Sequence, residues 1–178
     1  MEKIALLGVG NILFWDEGVG VYAARFLEAN YAFAPTIDIV DGGTLGMGLL
    51  EYLASYDRVI ILDTITQETM AGTCYVVPAH ALLALPTIKS TAHEVEVVQM
   101  LQASMLLEDT AQVTIVGIVP MDICRTEFGL SQPLREAFAH YIDTALEVLA
   151  TYGITATPRT HTTSLDAIIE RAWKGQNF

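Results

Sequence analysis

An apolar run over residues 3–8 ends in Gly8-Val9-Gly10-Asn11, and from Gly18 onward apolar side chains recur at Val19, Tyr22, Ala23, Phe26 and Leu27. The first pattern is a buried strand delivered into a glycine-opened turn. The second is the i, i+3, i+4 stripe of a helix that packs one face. The pair then repeats. Residues 37–40 form a second apolar run closed by Asp41-Gly42-Gly43-Thr44, Met47, Leu50, Leu53 and Ala54 make a second helical stripe, and a third run over 58–62 stops at Asp63. A β-α-β-α-β order within one sheet demands right-handed crossovers, parallel strands and helices on both faces. The predicted fold is a three-layer α/β/α, doubly wound arrangement.

Residues 64–72 alone separate Asp63 from the next apolar run, 73–77. A parallel crossover needs roughly a dozen residues or more, so the fourth strand is expected to be antiparallel. A helix is predicted to start near His93, with Val95, Val98, Leu101 and Met105 as its apolar face, and a fifth strand over 113–119. Ser131 and Pro133 open a long helix with Leu134, Phe138, Ile142, Leu146 and Leu149 inside and Gly153 as its stop. The sheet is therefore five-stranded and mostly parallel. One α/β domain is expected over 1–159, with 160–178 a tail in which Ser164 caps a short amphipathic helix bearing Leu165, Ile168, Ile169 and Ala172. Whether that helix docks on the domain or on a partner is left open. No internal repeat or low-complexity segment interrupts the pattern.

The chain of 178 residues suits one domain, and 52% hydrophobic against 17% charged residues supplies a core. Twenty-one acids against nine Lys and Arg give a formal charge of -12, which repels phosphate backbones and anionic lipid, so no nucleic-acid partner is expected. Every apolar run falls short of the roughly 20 residues a membrane span requires, and no signal-peptide cleavage pattern appears, so no membrane insertion and a cytoplasmic location are expected. Cys74 and Cys124 have no C-x-x-C partner and read as buried thiols. A monomer is expected.

Loops at the carboxyl ends of strands meet in a crevice where open α/β sheets bind ligands. The polar residues of this chain collect there: Asn11, Asp16 and Glu17 after the first strand, Asp41 and Thr44 after the second, Asp63 and Thr64 after the third, and His93 before a helix. Carboxylates with an imidazole offer oxygen and nitrogen donors suited to nickel, zinc, manganese or cobalt. A cation would also relieve the repulsion of acids crowded into one crevice. Each residue has a structural reading as well: Glu17 complementing a helix dipole, Asp63 forming a turn, Asp41 bonding loop amides, His93 lying at the surface.

The glycines after the first strand invite a nucleotide reading, which fails. The dinucleotide fingerprint has Leu13 where its third glycine belongs, and two acids at the helix start would repel a pyrophosphate. No Walker lysine and no G-x-S-x-G elbow exists, which favours water as the nucleophile.

The ordered set Gly8-Val9-Gly10-Asn11, Asp16-Glu17-Gly18-Val19-Gly20, Asp41-Gly42-Gly43-Thr44, Asp63 and His93 resembles the maturation endopeptidases of [NiFe] hydrogenases, over about residues 4–159. The resemblance implies a peptidase that removes a C-terminal extension from the precursor of the [NiFe] hydrogenase large subunit once nickel is inserted. It places the family's metal-binding positions, expected to be catalytic, on Glu17, Asp63 and His93, and matches Asp41 to the family's D-G-G-T loop in a supporting role. On chemical grounds Asp16 and Asp41 are the supporting candidates to carry the proton. It also implies that nickel arrives with the substrate, another divalent metal being able to substitute. Two readings compete: a module that inspects nickel without cutting, and a small-molecule metal hydrolase on the same architecture.

Overall fold

The computed structural model describes residues 2–83, 92–104 and 110–176, and of 82, 83 and 92–96 the backbone alone. Its sheet has the order β3-β1-β4-β6-β5, built from β1 (Ile4–Val9), β3 (Asp38–Gly43), β4 (Arg58–Thr64), β5 (Cys74–Pro78) and β6 (Gln112–Ile118), while β2 (Tyr31–Ala34) lies outside it. The β1–β3, β1–β4 and β4–β6 pairs are parallel, and β5 runs antiparallel to β6, as the short connection after Asp63 required.

Side chains alternate across the pleat, so a strand covered on both faces is apolar at nearly every position. In β1, Ile4 and Leu6 enter one core while Ala5, Leu7 and Val9 enter the other; in β4, Ile60 and Leu62 divide in the same way from Val59 and Ile61. The first core is closed by α1 (Val19–Asn30), α5 (Gln132–Thr151) and α6 (Leu165–Trp173). The second is closed by α2 (Leu50–Ser55) and α4 (Ala92–Ser104), with a short α3 (Ala79–Leu83) before α4. The buried face of α4 carries Val97, Met100 and Leu101, rotated from the stripe expected through Val98. Apolar residues surround this helix on most sides, so its periodicity does not select a face; Val95 and Met105 fall outside the described side chains.

One element, and the docking of another that the sequence did predict, lay beyond local pattern. β2 pairs antiparallel with β7 (Thr155–Pro158), a ribbon whose halves lie at opposite ends of the chain. Beyond it α6 begins where Ser164 accepts the Ala167 amide, and docks on the domain with Ile168, Ile169 and Ala172 in the first core. Among the described residues no helix is long and apolar enough to cross a membrane.

Asn30, 3% exposed at the end of α1, fastens this closing segment. Its Oδ1 accepts the Thr163 amide at 2.6 Å, and its Nδ2 donates to the carbonyls of Thr163 at 3.0 Å and Phe26 at 2.9 Å. Asn30→Ala should cost about 2 kcal/mol, because the polar groups left behind lose the partners that this buried side chain supplies. Urea unfolding measures it. A midpoint equal to the parent's would show that the ribbon and α6 hold without the clasp.

Candidate active site

The connection leaving β1 passes through α1 on one face of the sheet, and the chain leaving β4 reaches α4 on the other. The loops therefore part between β1 and β4, at the topological switch point where open sheets bind ligands. Glu17 and Asp63 belong to the two segments that border this gap.

Glu17 lies in a 3-10 turn, Trp15–Gly18, that leads into α1 and packs against β4. Glycine makes the approach possible. A Cβ on Gly10, whose φ is +137°, would come within 1.8 Å of the Glu17 carbonyl oxygen, so the turn can fold down on the strand end because no side chain is there. Glu17 is 8% exposed and Asp63 3%.

Asp63 is next to the last residue of β4 and alternates with Val59 and Ile61, which sets its side chain on the face covered by α2 and α4. Its Oδ1 accepts the Thr64 amide at 2.7 Å. Beneath it the Tyr141 hydroxyl, from α5, donates to the carbonyls of Val116 at 3.0 Å and Asp63 at 3.3 Å. Burial first, and the Asp63 charge next, push this phenol well above its ordinary value, so it remains a protonated donor buttressing the end of β4.

His93 is the second residue of α4. This helix precedes a parallel strand and so runs back down the sheet, starting at the carboxyl edge beside the 3-10 turn Gly46–Leu49. The His93 side chain lies outside the described residues. Among the described residues no group of three or more His, Cys, Asp or Glu stands ready to hold a metal. Two buried carboxylates on the segments that border the gap nonetheless offer oxygen donors of the kind a divalent cation takes.

The other two acids are committed elsewhere. Asp16 is fully buried, and its carboxylate accepts the amides of Met121 at 2.9 Å, Asp122 at 3.5 Å and Ser131 at 2.7 Å. The Asp41 side chain shares the face of Ile39, opposite to that of Asp63, and pairs there with Arg25 of α1, whose Nε donates at 2.7 Å. Its Oδ1 accepts the Gly43 amide at 3.1 Å, the loop-amide contact that was one of its two readings. Both carboxylates are thus engaged by main-chain amides, and Asp41 by Arg25 as well.

Cys74 is half-buried, its thiol pushed up to about 11 by burial, whereas Cys124 is exposed rather than buried as expected. Ser131 occupies the N-cap of α5 as its sequence position suggests, yet its hydroxyl makes no capping bond. Sequence reasoning passed over Tyr141, whose signal was a phenol on the inner face of a helix, where burial obliges its hydroxyl to find a partner.

This is the construction of the α/β proteins that work at a strand-end switch point with buried acids. The family model described as hydrogenase maturation protease matches residues 21–148. The hydrogenase 2 maturation protease of Escherichia coli K12 is 33% identical over 159 residues, 88% of this chain and 96% of that protein. The hydrogenase expression/formation protein HupD of Bradyrhizobium diazoefficiens is 32% identical over 160 residues, 89% of this chain and 83% of that one. The solved hydrogenase maturating endopeptidase HybD of Escherichia coli superposes with a TM-score of 0.81 at 31% identity, over 89% of this chain and 98% of that one. The chain belongs to the hydrogenase maturation protease family.

Proposed function

We propose that this endopeptidase removes the C-terminal extension of the [NiFe] hydrogenase large-subunit precursor in the cytoplasm, and that it reads nickel as part of the substrate. The observation that carries the reading is the placement of two buried carboxylates, Glu17 and Asp63, at the switch point of this fold. With His93 as third donor they would grip a borderline-hard cation and leave coordination positions to the precursor. Nickel in the precursor would supply polarisation of the scissile carbonyl and a more acidic water.

The chain's own residues do the rest. Glu17 and Asp63 orient the substrate, and their burial keeps bulk water from competing. With Asp16 and Asp41 held by other partners, the proton of the attacking water passes to a carboxylate oxygen of Glu17 or Asp63. It then moves to the amide nitrogen as the C–N bond breaks, giving a carboxylate and a free amine. The suppressed thiolate of Cys74 is in keeping with water as the nucleophile. Exposed Leu13, Leu45, Met47, Met70 and Met121 stand on the loops that leave β1, β3, β4 and β6 at this same edge, which suits a protein substrate better than a small molecule.

The test is to incubate the purified protein with nickel-loaded precursor and with precursor verified to be nickel-free, and to weigh the products by mass spectrometry. A C-terminal fragment is expected from the loaded precursor alone. Discrimination needs little energy, since each 1.4 kcal/mol gained by coordination is about tenfold in affinity. Equal cutting of both precursors would end nickel gating, and cutting of neither would end the peptidase reading.

A further inference from the structure

We infer that Asp16 is a positioning residue for Glu17: its buried carboxylate locks the turn bearing Glu17 onto the loop between β6 and α5, resting on the reading of Glu17 as a catalytic carboxylate. Asp16 does not reach the surface, and so does not touch substrate. Its two oxygens gather three main-chain amides from a segment more than a hundred residues away, through Met121 and Asp122 on Oδ2 and Ser131 on Oδ1.

The turn needs such an anchor. Trp15 has φ +47°, a left-handed conformation that a bulky residue adopts at a cost and keeps when its surroundings over-determine it. Those surroundings are the same loop. The Trp15 amide donates to the Glu127 carbonyl at 2.8 Å, Phe14 bridges Glu127, and the Arg125 guanidinium lies 4.7 Å from the centre of the Trp15 ring. Glu17 follows directly on these two residues, so its direction is set by bonds made on both sides of the strained position. Without Asp16 the turn has a reason to relax, and Glu17 moves with it.

The test is Asp16→Asn, which preserves shape but turns one acceptor into a donor facing amide donors. Amide exchange followed by mass spectrometry should speed up about tenfold or more over residues 15–18 and 121–131 while the sheet keeps parental protection. Processing kinetics on nickel-loaded precursor should show kcat falling on the order of 100-fold, the scale of a small misplacement of a reacting group, with KM within about twofold. Ser131→Pro removes the donor from the other end of one bond at a φ of -59° that proline tolerates, and should lower kcat in the same direction. The double variant should be no worse than Asp16→Asn, since both act through one contact. Unchanged exchange over 15–18 would overturn the inference whether or not the protein proves to be a peptidase. So would a folded Asp16→Asn with parental kcat. Absence of processing by the parent, with exchange altered as expected, would count against the peptidase reading and leave the anchor standing.

Discussion

Asp63→Asn should yield a folded protein whose processing rate is lower by about 10²- to 10⁴-fold, the range for loss of a group that handles a proton in the transition state. The substitution is close to isosteric. The amide oxygen can still accept the Thr64 amide, and Tyr141 bonds the main-chain carbonyl, so both of these contacts survive the change. What disappears is one of two buried carboxyl groups at the switch point, and with it an oxygen donor for a cation and one resting place for the proton. Initial rates on nickel-loaded precursor, measured beside thermal melts of both proteins, separate chemistry from folding. Parental rates in a stable variant would reduce Asp63 to a turn former.

Gly20→Ala should have the largest effect on stability, a loss of about 3 kcal/mol or more, at the upper end of what overpacking a core costs. A methyl there would lie 2.1 Å from the Leu62 carbonyl oxygen and 2.3 Å from that of Val9, both main chain and both in the central strands. Alanine's advantage of about 1 kcal/mol over glycine within a helix cannot offset that collision. The helix must lift away from the ends of β1 and β4, and the turn carrying Glu17 lifts with it. Gly48→Ala is the matched control, because its Cβ would meet Leu45 at an ordinary 3.5 Å. Urea unfolding midpoints decide it; equal shifts in the two variants would mean that α1 does not bear on the strands as tightly as these distances require.

Much of this architecture is written locally. Strands buried on both faces are apolar throughout, an amphipathic α1 declares its period, and the brevity of residues 64–72 dictates the antiparallel β5. Glu17 and Asp63 each have an ordinary structural reading, as a helix-dipole partner and a turn former, and draw notice only through their joint placement in loops at one edge of the sheet. The β2–β7 ribbon was illegible because its pairing joins segments more than a hundred residues apart, with nothing in either to name the other. The duties of Asp16 and Asp41 were hidden for a related reason. A side chain's type shows in sequence, but the pleat parity that turns Asp41 toward Arg25, and the distant amides that claim Asp16, exist only after the chain has closed.

The docking of α6 carries a consequence for how the protein is made. In order of synthesis this helix follows every strand of the sheet, yet Ile168, Ile169 and Ala172 complete the core built on α1, one of the earliest elements to emerge. While translation proceeds, the outer surface of α1 stays bare, and the apolar seam awaiting α6 is what a chaperone or a second nascent chain would find. A ribosome that stalls after β7 therefore presents a complete sheet with an open flank. The cell's quality control would meet this protein at that moment.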